Sequence, residues 1–155
     1  MNIKIRKGTA QDLNATLDLI KQLAEYEKAP NEVTVNVEQM YNWGFGKDKI
    51  FDFFVLEKNT TIIGIALYYF KYSTWKGKCL FLEDIIITEN ERQNGYGKLL
   101  FNKVAKVAKN EKVERMEWQV LNWNTPAIKF YKKYNAILDD EWINGKLIKK
   151  DLQFF

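Results

Sequence analysis

The turn between residues 92 and 97 constrains the fold more than any other segment of this chain. Its residues are Arg92, Gln93, Asn94, Gly95, Tyr96 and Gly97, between a strand-like run (79–88) and an amphipathic, helix-like run (98–109). A strand that turns directly into a helix presents unpaired N–H groups at the positive end of the helix dipole, where anions bind. Glycines at 95 and 97 would let phosphate oxygens approach the backbone. The six residues alone fit a pyrophosphate site and an ordinary glycine-containing loop equally well.

Two common phosphate loops do not fit this turn. No Lys-Ser or Lys-Thr pair follows Gly97, as a Walker-type loop requires. The strand, turn and helix also lie in the middle of the chain, whereas a dinucleotide-binding fold places them near the N-terminus.

Alternation and helical spacing predict the order β-α-α-β-β-β-α-β-α-β-β. The expected strands are about 3–5, 51–57, 62–72, 79–88, 113–121, 136–142 and 146–154, and the expected helices are about 9–28, 37–43, 98–109 and 125–134. We expect Thr125 to cap the last helix with Pro126 as its first residue, and Asn135 to end it in a left-handed conformation. Asn144 and Gly145 are typical of a type I′ hairpin between the last two strands. Three consecutive strands before the central helix predict a mixed α+β sheet rather than a doubly wound one.

The amino-acid composition limits which catalytic and metal-binding groups the chain can use. The chain has 155 residues, of which 46% are hydrophobic, which predicts one packed domain over 1–155. It contains no histidine and a single cysteine, which excludes histidine-dependent nucleophilic catalysis and most zinc sites. Proton transfer must then use Glu, Asp, Tyr, Lys, Cys or water. A charged N-terminus, apolar runs too short for a bilayer and the single cysteine predict a soluble cytoplasmic protein.

Charge is unevenly distributed along the chain. Residues 1–48 carry 6 basic and 7 acidic side chains, a net −1, and residues 49–155 carry 18 and 13, a net +5. The basic part is compatible with nucleic acid, with a phosphate-rich small ligand or with solvated lysines. Its Lys and Arg residues do not form a stripe interleaved with aromatics, so we expect no nucleic-acid partner.

The turn and the element order together resemble the GNAT N-acetyltransferase superfamily, and more narrowly the spermidine/spermine (diamine) acetyltransferases. The resemblance extends over nearly the whole chain. It is densest in residues 19–27, 44–46, 64–70, 82–84 and 124–132. It implies the GNAT acyl-CoA N-acyltransferase fold, a mostly antiparallel twisted sheet with a splayed parallel strand pair and helices on both faces.

The resemblance also implies a co-substrate, acetyl-CoA, and no metal. Residues 93–98 would bind its pyrophosphate, and the strand residues Ile85–Ile87 would pair with its pantetheine arm. The full set implied to bind acetyl-CoA is Ile85, Ile86, Ile87, Arg92, Gln93, Asn94, Gly95, Tyr96, Gly97, Lys98, Asn124, Ala127 and Tyr131.

Two residues are implied as catalytic. Tyr131 would be the general acid for the departing thiolate, since a phenol of pKa about 10 can supply that proton. Glu83 would bind the acceptor amine and assist its deprotonation through water, because an alkylammonium is almost wholly protonated at neutral pH. Asp84, the next residue, is expected on the opposite strand face in a structural hydrogen bond or salt bridge. The residues implied to bind the amine are Tyr26, Glu27, Glu83, Trp118, Gln119 and Val120.

The resulting expectation is transfer of an acetyl group from acetyl-CoA to a primary amine of a polyamine or diamine such as spermidine or spermine. The alternatives are thialysine or another small amine or amino acid as acceptor, and a non-catalytic acetyl-CoA sensor. A homodimer is also expected, because relatives are dimers and because an apolar C-terminal strand ending at Phe155 would otherwise leave an exposed edge.

Overall fold

The computed structural model describes residues 2–155. They form two compact units, one ending at Gln119 and one comprising Val120–Phe155, and each is described by itself. The expectation of one domain over 1–155 stays a prediction.

The first unit contains a five-stranded sheet. Its strands are β1 (Ile3–Lys7), β2 (Asp52–Lys58), β3 (Thr61–Ser73), β4 (Gly77–Ile87) and β5 (Arg115–Glu117), in the spatial order β1-β2-β3-β4-β5. Neighbouring strands are antiparallel except for β4 and β5, which are parallel. The helices of this unit are α1 (Leu13–Tyr26), α2 (Val37–Gly44) and α3 (Tyr96–Asn110). The mixed α+β sheet predicted from the sequence is confirmed.

Helices cover both faces of this sheet. On one face, apolar side chains of α1 and α2 pack against alternate strand residues, forming a core of Leu13, Leu17, Leu19, Met40, Phe53, Val55, Ile65, Leu67 and Ile86. The opposite face packs against α3, whose Leu100 and Val104 are fully buried. Burying each such side chain contributes about 1.5–3 kcal/mol.

Arg6 ties β1 to the start of α1 and to β2. Its guanidinium donates to both Asp12 oxygens, with Nη1–Oδ2 2.6 Å and Nη2–Oδ1 2.8 Å, and to Oε1 of Glu57. Oδ2 of Asp12 also accepts from the backbone N–H and the hydroxyl of Thr9. Hydrogen bonding to Arg6, more than any other cause, lowers the pKa of Asp12 to about 2. The buried carboxylate of Asp12 is tolerated here because it is paired with Arg6 and also accepts hydrogen bonds from Thr9.

A β-bulge interrupts the pairing of β3 with β4. Leu67 lies opposite Asp84, but the next residue of β3, Tyr68, lies opposite Leu82. Glu83 is therefore the extra residue on β4, without a partner of its own on β3. A bulge of this kind breaks the alternation of side chains between the two faces of a strand.

The parallel pair of strands separates early. Only three residue pairs join β4 and β5, the last between Phe81 and Glu117. The fifth strand was predicted to run over 113–121, but it ends at Glu117. The outer edge of β4 from Leu82 onward consequently pairs with no strand of residues 2–155.

The second unit contains α4 (Thr125–Lys132) and a 3₁₀ turn (Asp151–Phe154). The prediction that Thr125 caps α4 was wrong: Asn124 is the N-cap, its side-chain oxygen accepts from the N–H of Ala127 at 3.3 Å, and Pro126 follows in the first turn. Asn135 has a φ of 56°, the left-handed conformation predicted for the end of this helix.

The two C-terminal strands, 136–142 and 146–154, were predicted wrongly. Residues 136–148 have no regular secondary structure, and no residue beyond Glu117 in the described chain joins a sheet. A strand needs a paired neighbour and a buried face, and here the side chains of Ile137, Ile143 and Phe154 are 94%, 96% and 86% exposed. The turn-forming residues Asn144 and Gly145 are therefore not enough to make the flanking residues pair as strands.

Candidate active site

The predicted phosphate turn leads directly into α3. This helix begins at Tyr96, two residues earlier than predicted, and its N-cap is Gly95 in a left-handed conformation with a φ of 79°. Gly95 contributes no side-chain cap, so the N–H groups of the first turn point forward without a side-chain acceptor. This is the geometry of an anion site at a helix N-terminus.

The space in front of this helix end is open. A Cβ atom built at Gly95 or at Gly97 would meet no atom within 4 Å. Gln93 has a φ of 65°, and the Asn94 amide donates to the Glu91 carbonyl at 3.1 Å, so the turn is held by its own chain. The residues present fit the pyrophosphate implied by the family resemblance.

The side chain of Arg92 contacts neighbouring elements of the fold. Its Nε donates to the carbonyl of Ile87 at 3.0 Å, and its guanidinium lies 4.9 Å from the ring centre of Tyr26 at the end of α1. The contact brings together a residue predicted to bind acetyl-CoA and one predicted to bind the amine. Arg92 thus fixes the start of the turn against α1 and the end of β4.

Ile85, Ile86 and Ile87 lie on the part of β4 that has no neighbour on its outer side. Ile86 and Ile87 are buried, and on the inner side the three residues pair with Ala66, Ile65 and Gly64 of β3. An unpaired strand edge offers backbone donors and acceptors to an extended ligand. This agrees with the predicted pairing of a pantetheine arm along Ile85–Ile87, which stays a prediction.

The bulge brings Glu83 and Asp84 to the same face of the sheet. Asp84 is opposite Leu67, and Glu83 accepts a hydrogen bond from Tyr69, two residues further along β3 on the same face. This is the face that carries α1 and α2. The expectation that the two carboxylates point to opposite sides was therefore wrong, because it assumed a regular strand.

An open cleft of about 580 Å³ is lined by residues of β2, of β3 and of the segment before β2, and neither carboxylate is among its lining residues. Leu67 and Tyr69, the β3 neighbours of Asp84 and Glu83, line it. The remaining lining residues come from the start of β2, the segment before it and β3, and are Lys49, Ile50, Phe51, Asp52 and Phe70. Nζ of Lys49 is paired with Oδ1 of Asp52 at 2.7 Å.

The two carboxylates differ in environment. Glu83 is exposed, and its Oε2 is held by the Tyr69 hydroxyl at 2.9 Å. Burial and this bond raise the pKa of Tyr69 to about 12, so its hydroxyl remains a donor. Asp84 is half-buried, and burial, reinforced by the negative charges of Glu83 and Glu27, raises the pKa of its carboxyl to about 7.

Asp84 has neither of the partners expected for it. Among residues 2–155, no hydrogen bond or ion pair to its carboxyl is found, so the predicted structural role was wrong. A half-buried, unpaired carboxyl with a pKa near neutrality can both accept and release a proton at physiological pH.

The remaining predicted amine-binding residues divide into two groups. Glu27 is half-buried at the end of α1, where burial raises the pKa of its carboxyl, and its charge acts on Asp84. Trp118 instead lies edge-on to Phe101 of α3, with ring centres 5.4 Å apart. The structure thus places Trp118 against α3, the helix on the opposite face from Glu83. Gln119 is exposed, and the adjacent residue, Val120, belongs to the second unit.

Three other predicted residues belong to the second unit. Asn124 is buried and caps α4, using the N–H of Ala127. Tyr131 is 5% exposed, and its ring lies 5.2 Å from that of Phe130, edge to face. The roles proposed for Asn124, Ala127 and Tyr131 in binding acetyl-CoA, and for Tyr131 as acid, stay predictions.

Comparison with protein families decides the identity. The model of the Acetyltransferase (GNAT) family matches residues 16–136, which include both helix–sheet faces and the turn before α3. The chain belongs to the GNAT acetyltransferase family. As a GNAT enzyme it is an acetyl-CoA-dependent N-acetyltransferase, and its relatives place its acceptors among small amines.

Several curated proteins are similar to this GNAT chain. The thialysine N-epsilon-acetyltransferase of Bos taurus is 35% identical over 142 residues, covering 86% of this chain and 84% of that protein. The spermidine/spermine N(1)-acetyltransferase-like protein 1 of Homo sapiens is 29% identical over 141 residues, covering 86% of this chain and 20% of that protein. These relatives are consistent with the diamine acetyltransferase subfamily.

Solved structures share the GNAT fold. A protein from Bacillus halodurans is 20% identical with a TM-score of 0.78, covering 94% of this chain and 99% of that one. An aminoglycoside acetyltransferase from a soil metagenomic sample is 17% identical with a TM-score of 0.76, covering 94% and 95%. At these identities the likeness concerns the fold.

Sequence reasoning missed part of this GNAT site. The cleft residues Leu67, Tyr69 and Asp52 were not singled out, and neither was the raised pKa of Asp84. The one available signal was the charged pair inside an apolar strand, which was interpreted with the two carboxylates on opposite faces. In the part of the chain that the structure describes, no helix has the length and apolar character to cross a membrane, and no cluster of His, Cys, Asp and Glu could hold a metal ion.

Proposed function

We propose that this enzyme acetylates a primary amine of a small polyamine or diamine, such as spermidine or spermine. The observation that supports it is a group of three acidic side chains, two of which neighbour the cleft-lining residues Leu67 and Tyr69. The negative charges of Glu83 and Glu27 both act on Asp84. The lysine that lines the cleft, Lys49, is already neutralised by Asp52. Negative potential of this kind concentrates a polycation and orients its ammonium groups.

Each proposed residue has a distinct task. Acetyl-CoA supplies an activated acetyl group as a thioester. Glu83, oriented by Tyr69, binds the acceptor ammonium and assists its deprotonation through water. The N–H groups at the start of α3 bind phosphate oxygens next to the open positions of Gly95 and Gly97. Tyr131 holds a proton on its hydroxyl for the departing sulfur.

Thialysine is the second candidate acceptor, and a specific observation favours it. The relatives that are similar over 86% of this chain include thialysine N-epsilon-acetyltransferases of Bos taurus and Mus musculus, at 35% and 34% identity. An amino acid of this kind carries an α-carboxylate as well as a distal amine. The Lys49–Asp52 pair at the cleft could exchange partners with such a head group.

An amine panel tests these proposals. Thiol release from acetyl-CoA is measured with spermidine, spermine, putrescine, thialysine and lysine at equal concentrations. We expect the highest kcat/KM for a polyamine. Turnover confined to thialysine and lysine would favour the second candidate, and saturable acetyl-CoA binding without turnover of any amine would indicate a sensor.

A further inference from the structure

We propose that Asp84 is the group that takes the proton from the acceptor ammonium, while Glu83 holds that ammonium in place. This assignment rests on the proposed function, and it divides between two adjacent carboxylates a task that the resemblance gives to Glu83 alone. It depends on the bulge, because an extra residue on β4 places both side chains on the same face of the sheet, next to the cleft-lining residues Leu67 and Tyr69.

The contacts of the two residues support this division. Glu83 is exposed and one of its oxygens is occupied by the Tyr69 hydroxyl at 2.9 Å, an arrangement suited to orienting a cation. Asp84 is half-buried, is opposite the cleft residue Leu67, and has no hydrogen-bond or ion-pair partner in residues 2–155. The carboxyl oxygens of Asp84 can therefore accept a proton without first breaking another hydrogen bond or ion pair.

The surroundings of Asp84 suit a proton acceptor. Burial is the main cause of its raised pKa, and the charges facing it are Glu83 on its own strand and Glu27 at the end of α1. These are both negative, so a cationic amine that enters lowers the cost of ionising Asp84. Before the transfer, the cationic amine therefore meets an ionised carboxylate. After the transfer the amine is neutral, and Asp84 can hold the proton near neutral pH.

The proton and electron balance is simple. One N–H bond of the ammonium breaks, its electron pair stays on nitrogen, and the proton passes to an oxygen of Asp84. The nitrogen lone pair forms a C–N bond to the thioester carbonyl carbon while the C=O π pair moves to oxygen; as that pair returns, the C–S bond breaks with its pair on sulfur. A second N–H bond of the former ammonium breaks as the amide forms, and this proton balances the one that Tyr131 gives to sulfur. Asp84 later releases its proton to water, which restores the carboxylate for the next turnover.

Two measurements test the assignment. Carboxyl ¹³C NMR titrates Asp84 in the parent protein without any ligand, and the pH dependence of kcat/KM is measured with the best amine of the panel. The variants are Asp84→Asn, Glu83→Gln and, as a matched control, Asp18→Asn on the exposed face of α1. Circular dichroism confirms that each variant is folded.

We expect Asp84 to titrate near neutrality and to titrate at lower pH in Glu83→Gln, since a neighbouring negative charge is gone. Asp84→Asn should lower kcat/KM at least about 100-fold and abolish the acidic limb of the pH profile. Glu83→Gln should raise KM for the amine and shift that limb to lower pH. Asp18→Asn should match the parent.

Two results would overturn the assignment: an Asp84 carboxyl that titrates below about pH 5 in the parent, in the range of an ordinary carboxyl, or an Asp84→Asn enzyme that keeps the parent's acidic limb and kcat. A parent that acetylates no amine of the panel would instead overturn the proposed function. The NMR titration would still decide whether Asp84 holds a proton near neutrality.

Discussion

The hydroxyl of Tyr69 donates to Oε2 of Glu83 at 2.9 Å, joining β3 to the extra residue of the bulge on β4. Tyr69 also lines the cleft, and its ring stacks on Phe81 with centres 5.4 Å apart. The stacked ring fixes where the hydroxyl points, and the hydroxyl in turn limits the conformations of an otherwise exposed carboxylate. Tyr69 therefore contributes both to the wall of the cleft and to the position of the Glu83 carboxylate.

Replacing Tyr69 with phenylalanine keeps the stacked ring and removes this bond. Glu83 would then sample more conformations, and we expect KM for the amine to rise about three- to tenfold with kcat nearly unchanged, the size of one hydrogen bond of roughly 1 kcal/mol. Steady-state kinetics checks this. Tyr72→Phe, an exposed tyrosine on the same strand, is the control and should have no effect. Equal KM values for both variants and the parent would contradict the role of Tyr69.

Gly97 allows ligand affinity to be separated from stability. Gly97→Ala adds a methyl group that meets no atom within 4 Å, in the first turn of a helix, so the unliganded protein should be as stable or slightly more stable. If phosphate occupies that space, the affinity for acetyl-CoA should fall about tenfold, and further in Gly97→Asp, which adds a negative charge.

Calorimetric titration and melting curves with and without acetyl-CoA measure both effects of the Gly97 variants. Gly145→Ala, also in open space but in the second unit, is the control. Parent-like affinity in Gly97→Asp would mean that the pyrophosphate binds elsewhere.

Tyr131→Phe tests the general acid. The lost hydroxyl would act on the departing sulfur and hardly at all on bound acetyl-CoA, so kcat should fall about 10²–10⁴-fold with little change in acetyl-CoA affinity. Tyr134→Phe, on the neighbouring turn and in ring contact with Phe130, controls for packing. A Tyr131→Phe enzyme with the parent's kcat would remove Tyr131 from the mechanism.

Asp12→Ala should destabilise the fold strongly. It leaves the Arg6 guanidinium short of an acceptor and removes the bonds to Thr9, a loss of about 3 kcal/mol for a buried, paired charge. The pKa of Asp12 is lowered to about 2, from 3.8, chiefly by Arg6. Its contribution is thus complete above pH 3.8 and is lost as pH falls through about 2.

Urea unfolding at neutral pH and along an acid series measures the Asp12 contribution. Asp48→Ala, on an exposed loop, should leave the free energy of unfolding within about 0.5 kcal/mol of the parent. An Asp12→Ala protein that loses no more than this control would show that the Arg6 cluster is dispensable.

We also expect a homodimer. The strand edge on which that expectation partly rested is not formed, but Ile143, Phe154 and Phe155 are each at least 86% exposed, and a second copy could cover these apolar side chains. Light scattering at micromolar concentration should give twice the chain mass. A stable monomer would refute the prediction.

The elements of the first unit were predictable because their signals are local. The Thr9–Asp12 cap before α1, the continuous apolar runs of β2 and β3, and Gly95 before α3 each specify structure within a few residues. Residues 136–154 have no comparable set of local signals. Their hairpin signal concerned two residues, whereas strand formation needs a neighbour that the sequence pattern does not name.

The sequence predicted which residues belong to the candidate site better than it predicted how they are arranged. Glu83 was identified because a charge inside an apolar strand requires an explanation, and Gly95 and Gly97 because of their position after a strand. The bulge arises from the relative register of two strands, so no pattern within β4 alone reveals it. The cleft beside Tyr69 and the altered acidity of Asp84 both follow from that register and were missed for the same reason.

The single extra residue in β4 also explains how such a strand can carry two adjacent carboxylates at all. In a regular strand one of them would enter the apolar layer between the sheet and α3, where Leu100 and Val104 offer no donor. One inserted position thus lets a chain without histidine place two carboxylates side by side on one face, the first exposed and the second half-buried.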